Sequence, residues 1–106
     1  MTEETKHEFY VAGVKYHNLK TCIKEIEVGA ILTMTPEPSN KYDPNAVRLE
    51  FPSLGLGQEI MVGYVPAKIS ASISAALMVS KLKCEVIEVS PEKKTWEQLK
   101  VVIEEI

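Results

Sequence analysis

Cysteine and histidine are scarce in this chain, two of each among 106 residues. Their scarcity removes most metal and nucleophile chemistry from consideration. Cys22 and Cys84 are too widely separated to match any metal-ligand spacing. His7 and His17 have no acid or nucleophile at a diagnostic distance along the chain, and a Cys22–His17 dyad has no motif behind it. Gly55 and Gly57 lack the strand-to-helix context of a phosphate loop and read as a turn. No apolar run is long enough to span a bilayer, so no membrane partner is expected. The opening residues, MTEETKHEFY, lack the apolar core of a secretory leader. Two reduced thiols in a cytoplasmic protein are therefore expected. An excess of basic charge is missing too: 12 Lys and Arg against 15 Asp and Glu give a net charge of −3. That balance excludes a strongly cationic nucleic-acid binder but leaves room for a local basic patch. No enzyme, cofactor or metal site is expected.

What the chain does contain is an ordinary globular mixture, 45% hydrophobic and 25% charged. Its length fits one domain with one modest core. Residues 1–7 read as a flexible lead-in and 8–106 as the domain. Phe9–Tyr16 (FYVAGVKY) reads as a strand, with Gly13 marking a bulge or a close approach. His17–Gly29 reads either as a short helix with a stripe of Cys22, Ile23 and Ile26, or as an irregular excursion. Further strands are expected over Ala30–Thr35, Ala46–Phe51 and Glu59–Val65, the last two joined by the turn PSLGLG. Pro66 suits the first position of a helix, which needs no N–H. That helix should run over Ala67–Val79, burying Ile69, Ile73, Ala76 and Leu77 and turning Ser70 and Ser74 to water. Strands over Lys81–Val89, with a change of phase at Val86–Ile87, and over Trp96–Ile103 complete the order. Antiparallel strands with one helix plugging an end imply a small, partly open β-barrel.

The stretch Pro36–Leu49, PEPSNKYDPNAVRL, is the most distinctive. It begins as turn residues and ends as an alternating strand. Asp43 precedes a proline, which pushes its backbone to extended geometry. A tight loop carrying Asn40, Tyr42 and Asp43 beside a rigid strand is either a recognition site or a well-made turn. Three tyrosines, Tyr16, Tyr42 and Tyr64, sit at strand ends or in loops, accompanied by Lys15, Lys41 and Lys68. Aromatic faces stack bases and lysines neutralise phosphates, the needs of a short single-stranded nucleic-acid site. The other reading has tyrosines capping the ends of the barrel and lysines solvating its surface. Trp96 and Phe51 read as core or rim packing.

Three segments in order, VAGVKY at Val11–Tyr16, EPSNKYDPNAVRL at Glu37–Leu49 and VGYVPAKIS at Val62–Ser70, resemble the HIRAN domain family. The strand around Leu82–Cys84 adds to the match. The resemblance implies a mainly β fold with α: a small OB-like or SH3-like β-barrel of about six strands with one or two helices. Family members occur at the head of helicase-like translocases that remodel stalled replication forks, and as short stand-alone bacterial proteins. The best understood bind the 3′ end of single-stranded DNA, stacking its terminal bases and holding the free 3′-hydroxyl.

Carried over by position, the resemblance assigns Lys15 and Tyr16 to the basic-aromatic pair and Tyr42 and Asp43 to the long loop. Asp43 would accept from the 3′-hydroxyl, while Tyr64 and Lys68 would line the same groove. Asn40 falls within the matching loop. Lysine stands at Lys15 where the fork-remodelling members carry arginine, so two-pronged phosphate binding is lost. Pro66 and Ala67 stand where those members are basic, and no ATPase domain lies within the 106 residues. The expected partner is single-stranded DNA in repair or fork processing. The alternative is a protein- or peptide-interaction module using the same groove.

Overall fold

The computed structural model describes residues 6–106. Most of the expected lead-in therefore lies outside the described residues. Six strands, β1 (His7–Tyr10), β2 (Ile31–Pro36), β3 (Val47–Ser53), β4 (Gln58–Tyr64), β5 (Leu82–Val89) and β6 (Leu99–Glu105), form one sheet in the order β1-β6-β5-β2-β3-β4. Every pairing is antiparallel. Two helices accompany the sheet, α1 (Leu19–Cys22) and α2 (Ala67–Val79).

Period-two alternation sorts the strand residues between core and solvent. In β3, Val47, Leu49, Phe51 and Ser53 are buried, while Arg48, Glu50 and Pro52 lie on the other face. Packed into the same core are Leu32, Val62, Val86, Val101 and Ile103, each at most 2% exposed. Full burial of such side chains stabilises the fold by roughly 1.5–3 kcal/mol apiece. Ile73 seals the core from α2, with Ile69 and Leu77 partly buried beside it. Cys22 and Cys84 are both free and buried. Among the described residues no helix is long and apolar enough to cross a membrane.

Several boundaries differ from the sequence reading. The first strand ends at Tyr10, because Gly13 takes a φ of 70° and turns the chain into a 3₁₀ turn over Val14–Tyr16. The last strand starts only at Leu99, after a 3₁₀ turn over Thr95–Glu97. The His17–Gly29 segment holds one helical turn, α1, followed by a 3₁₀ turn over Ile23–Glu25, and both bury apolar side chains. The bulge read at Val86–Ile87 is present between Val86 and Glu88. A second lies where Leu49 pairs with Gly63 but Glu50 with Met61, and Gly63 within the strand was its unread signal.

The expected barrel does not close. Among the described residues the two edges of the sheet meet at a single bridge, where Ala12 N–H donates to Tyr64 O at 2.9 Å and Tyr64 N–H to Ala12 O at 2.8 Å. Continuing that register places Pro66 opposite Tyr10. Proline has no N–H to give, and α2 starts at the next residue. In the other direction Gly13 has already turned away. Closure is blocked on both sides of one residue pair.

Candidate functional site

The β2–β3 loop is built around Asn40. Its Oδ1 accepts the N–H groups of Tyr42 at 2.8 Å and Asp43 at 3.0 Å. Its Nδ2 donates to Glu37 Oε1 at 3.1 Å. Backbone bonds from Glu37 N–H to Ala46 O and from Ala46 N–H to Asp43 O, at 2.8 and 3.0 Å, close the loop on itself. Asp43 Oδ1 accepts the Asn45 N–H at 2.9 Å, the local turn that aspartate favours. Asn40 is thus a frame for the loop, with local bonds of the kind the turn reading expects. With its backbone fixed, Tyr42 projects outward, 85% exposed. Lys41 Nζ lies 5.1 Å from its ring centroid.

Asp43 Oδ2 accepts from Ser70 Oγ at 2.7 Å, tying the loop to α2. This corrects the expectation that Ser70 faces water: it is 1% exposed. Ser70 Oγ also stands 3.1 Å from Ala67 O, and its single proton serves one acceptor at a time. An ionised carboxylate offers about four lone-pair positions, so the two bonds leave Asp43 capacity for another donor.

Tyr64 closes the far side. Its hydroxyl donates to Glu37 Oε1 at 2.7 Å, and the His17 ring meets it edge-on at 5.4 Å between centroids. Arg48 Nη1 donates to Glu37 Oε2 at 3.3 Å. Burial acts to raise the Glu37 carboxyl, but hydrogen bonds from Asn40 and Tyr64 and the charges of Arg48 and His17 outweigh it, leaving it below the ordinary range. Burial and the Glu37 carboxylate push the Tyr64 phenol upward, so it stays a proton donor.

These elements enclose a pocket of about 250 Å³ lined by Asn40, Tyr42, Asp43, Tyr64, Ala12 and Ala67 among others. That is slightly below the roughly 300–1,000 Å³ of drug-sized sites, a size for one ring system. Beyond the Gly13–His17 turn a second pocket of about 370 Å³ is lined by Lys15, Tyr16, His17, Lys20 and Gln98. Tyr16 there is 78% exposed with Lys15 Nζ 5.8 Å from its ring centroid. Of the expected residues, Asn40, Tyr42, Asp43 and Tyr64 share one pocket, and Lys15 and Tyr16 occupy the next. Lys68 stands apart, in a groove between β1 and α2.

Sequence reasoning missed Glu37, Arg48, His17 and Ser70. For Ser70 a signal existed: it lies three residues before Ile73, on the helix face that Ile73 buries. Glu37 gave none, since two of its three partners, Arg48 and Tyr64, come from other strands. Phe51 is core as expected, whereas Trp96 is 63% exposed with Lys94 Nζ 5.3 Å from its ring centroid.

An antiparallel sheet left open beside a helix defines a small, mainly β domain. The chain belongs to the HIRAN domain family, whose model matches residues 5–104. That membership supports a nucleic-acid-binding class for it. Among solved structures it is similar to a Lactobacillus plantarum protein, with a TM-score of 0.74 and 18% identity over 91% of this chain and 87% of the other. It is also similar to the HIRAN domain of human HLTF, with a TM-score of 0.61 and 13% identity over 92% of this chain and 70% of the other. At these identities the likenesses establish the fold alone. No curated protein matches the sequence.

Proposed function

We propose that this HIRAN domain is a non-catalytic module that binds the 3′ end of single-stranded DNA, in the service of repair or fork processing. The observation that carries this reading is the pairing of Tyr42 and Asp43 on one rigid loop. The exposed Tyr42 ring borders the pocket that Asp43 also lines, and Asp43 keeps acceptor capacity. A terminal base stacks on Tyr42 while its free 3′-hydroxyl donates to Asp43. A phosphate at that position is repelled by the carboxylate. The preceding phosphates run toward Lys15 and Lys20, with Tyr16 offering the next stacking face.

Fluorescence anisotropy at low salt tests this with one short oligonucleotide ending in either a 3′-hydroxyl or a 3′-phosphate. The hydroxyl form should bind more tightly. Asp43→Asn, which keeps an acceptor for the Asn45 N–H but loses the charge, should shrink that preference. Tyr42→Ala should weaken both by about 1–3 kcal/mol, the contribution of one stacked base. Equal affinity for the two ends would dismiss end recognition. Failure to bind either would transfer the pocket to the protein-interaction reading.

A further inference from the structure

The groove between β1 and α2 is a concavity that the proposed DNA site does not use. It holds about 550 Å³, with residues from Lys6 to Tyr10 along one wall and Pro66, Lys68 and Ile69 along the other. The β1 wall is a sheet edge, since among the described residues β1 is paired on one side only, with β6. Hydrogen-bond directions show which backbone groups face the groove. Val11 N–H donates to Leu99 O in β6 at 2.9 Å, whereas Ala12 exchanges bonds with Tyr64 on the opposite side. Backbone groups alternate along an antiparallel strand, so Glu8 and Tyr10 point their N–H and C=O to the same side as Ala12, into the groove. Past the Ala12–Tyr64 bridge the chain leaves the sheet edge at Pro66 and enters α2, and among the described residues no backbone bond to Glu8 or Tyr10 is made from that side. The walls carry Lys6, His7 and Lys68 against the single carboxylate of Glu8, on a chain whose net charge is −3. Lys6 also makes a loose ion pair with Glu104 at 3.9 Å.

We propose that this groove receives an extended acidic peptide, which adds to β1 as an extra strand. A free sheet edge beside a helix is a geometry in which proteins capture peptides by strand addition: main-chain bonds hold the segment and alternate side chains are read by the walls. Here the partner's backbone bonds Glu8 and Tyr10, and its carboxylates lie along Lys6 and Lys68. The observations favour a peptide over a nucleic acid. A sugar–phosphate chain has no N–H and C=O groups at strand spacing, and the Tyr10 ring is already partnered by Lys100 Nζ at 5.4 Å from its centroid. The inference is independent of the DNA reading.

A phage-displayed library of random eight-residue peptides, selected against the whole chain, provides the test. Enriched sequences should carry Asp or Glu at alternate positions. A synthetic peptide of the leading sequence should slow amide exchange of Glu8 and Tyr10 at least tenfold. N-methylation of its alternate amides should abolish binding. Lys68→Glu should weaken it at least fivefold, while Lys68→Arg should retain it. No enrichment, enrichment of neutral or basic sequences, or a leading peptide that leaves the Glu8 and Tyr10 amides unprotected would overturn the proposal. So would equal protection of those amides by the single-stranded oligonucleotide.

Discussion

Ser70→Ala removes a single hydroxyl, and its consequences can be worked from the contacts that hydroxyl makes. Ser70 Oγ is 2.7 Å from Asp43 Oδ2 and is the bond from α2 to that carboxylate. Hydrogen bonds to charged groups contribute roughly 1.5–3 kcal/mol, and partial exposure of Asp43 places this one at the lower end. Alanine is the better helix former by roughly 0.5 kcal/mol, which offsets part of the loss. The net destabilisation should be about 1 kcal/mol, a fall of roughly 4–8 °C in Tm for a domain near this size. Melting the wild type, Ser70→Ala, Asp43→Asn and the double variant by circular dichroism isolates the pair. A coupling of at least about 0.5 kcal/mol is expected between residues in direct contact. The oligonucleotide assay adds a second readout: Ser70→Ala should reduce the preference for a 3′-hydroxyl, because Asp43 loses its tether to α2. Strictly additive melting costs, with the end preference unchanged, would refute the reasoning.

Three further outcomes follow from the packing. A Cβ placed on Gly63 would overlap the carbonyl oxygen of Ala12 and lie 2.6 Å from Val11 Cγ1. Gly63→Ala should therefore cost about 2 kcal/mol or more and expose the Ala12 and Tyr64 amides to exchange; a variant with wild-type stability and exchange would contradict the packing. Burial, aided by the charge of Glu25, pushes the Cys22 thiol up to about 11, and burial alone pushes Cys84 up to about 12. Neither should react with iodoacetamide at pH 8 in the folded protein, and rapid labelling of either would be inconsistent with their burial. Because both pKa values are raised on folding, their contribution to stability is complete below about pH 9 and declines as the pH climbs toward the folded values. Urea titrations at pH 8 and pH 10 should show that decline.

Legibility in the sequence followed the range of the interactions involved. Helix α2 was readable to its last residue, because Pro66 and the Ile69–Ile73–Leu77 spacing are local signals. The strands were found by their alternation, although Tyr16 and Trp96 were drawn into strands that end at Tyr10 and begin at Leu99. Both lie in 3₁₀ turns, and β-propensity does not distinguish an aromatic on a turn from one on a strand. The loop motif around Asn40, Tyr42 and Asp43 was legible because its hydrogen bonds are mostly local. Glu37 and Ser70 escaped for the opposite reason. Glu37 reaches Tyr64 and Arg48, and Ser70 reaches back to Asp43, all pairings set by the sheet and α2. Lys68 was assigned to the tyrosine groove by resemblance, while its helix position directs it along the β1 edge.

The lone bridge between Ala12 and Tyr64 gives the domain a seam. The rest of the sheet is held by ladders, but its two free edges are fastened to each other by one pair of hydrogen bonds. The aromatic pocket lies across that fastening, with Ala12 and Gly13 on one lip and Tyr64 and Val65 on the other. An occupant that spans the pocket touches both lips and must either tolerate or suppress their parting. A ligand that fits only the closed form works as a clasp, stabilising the domain by RT ln(1 + [L]/Kd) and slowing the opening of the bridge in the same proportion. Occupancy would then be readable from two amides alone, those of Ala12 and Tyr64, whose exchange follows the parting of the seam.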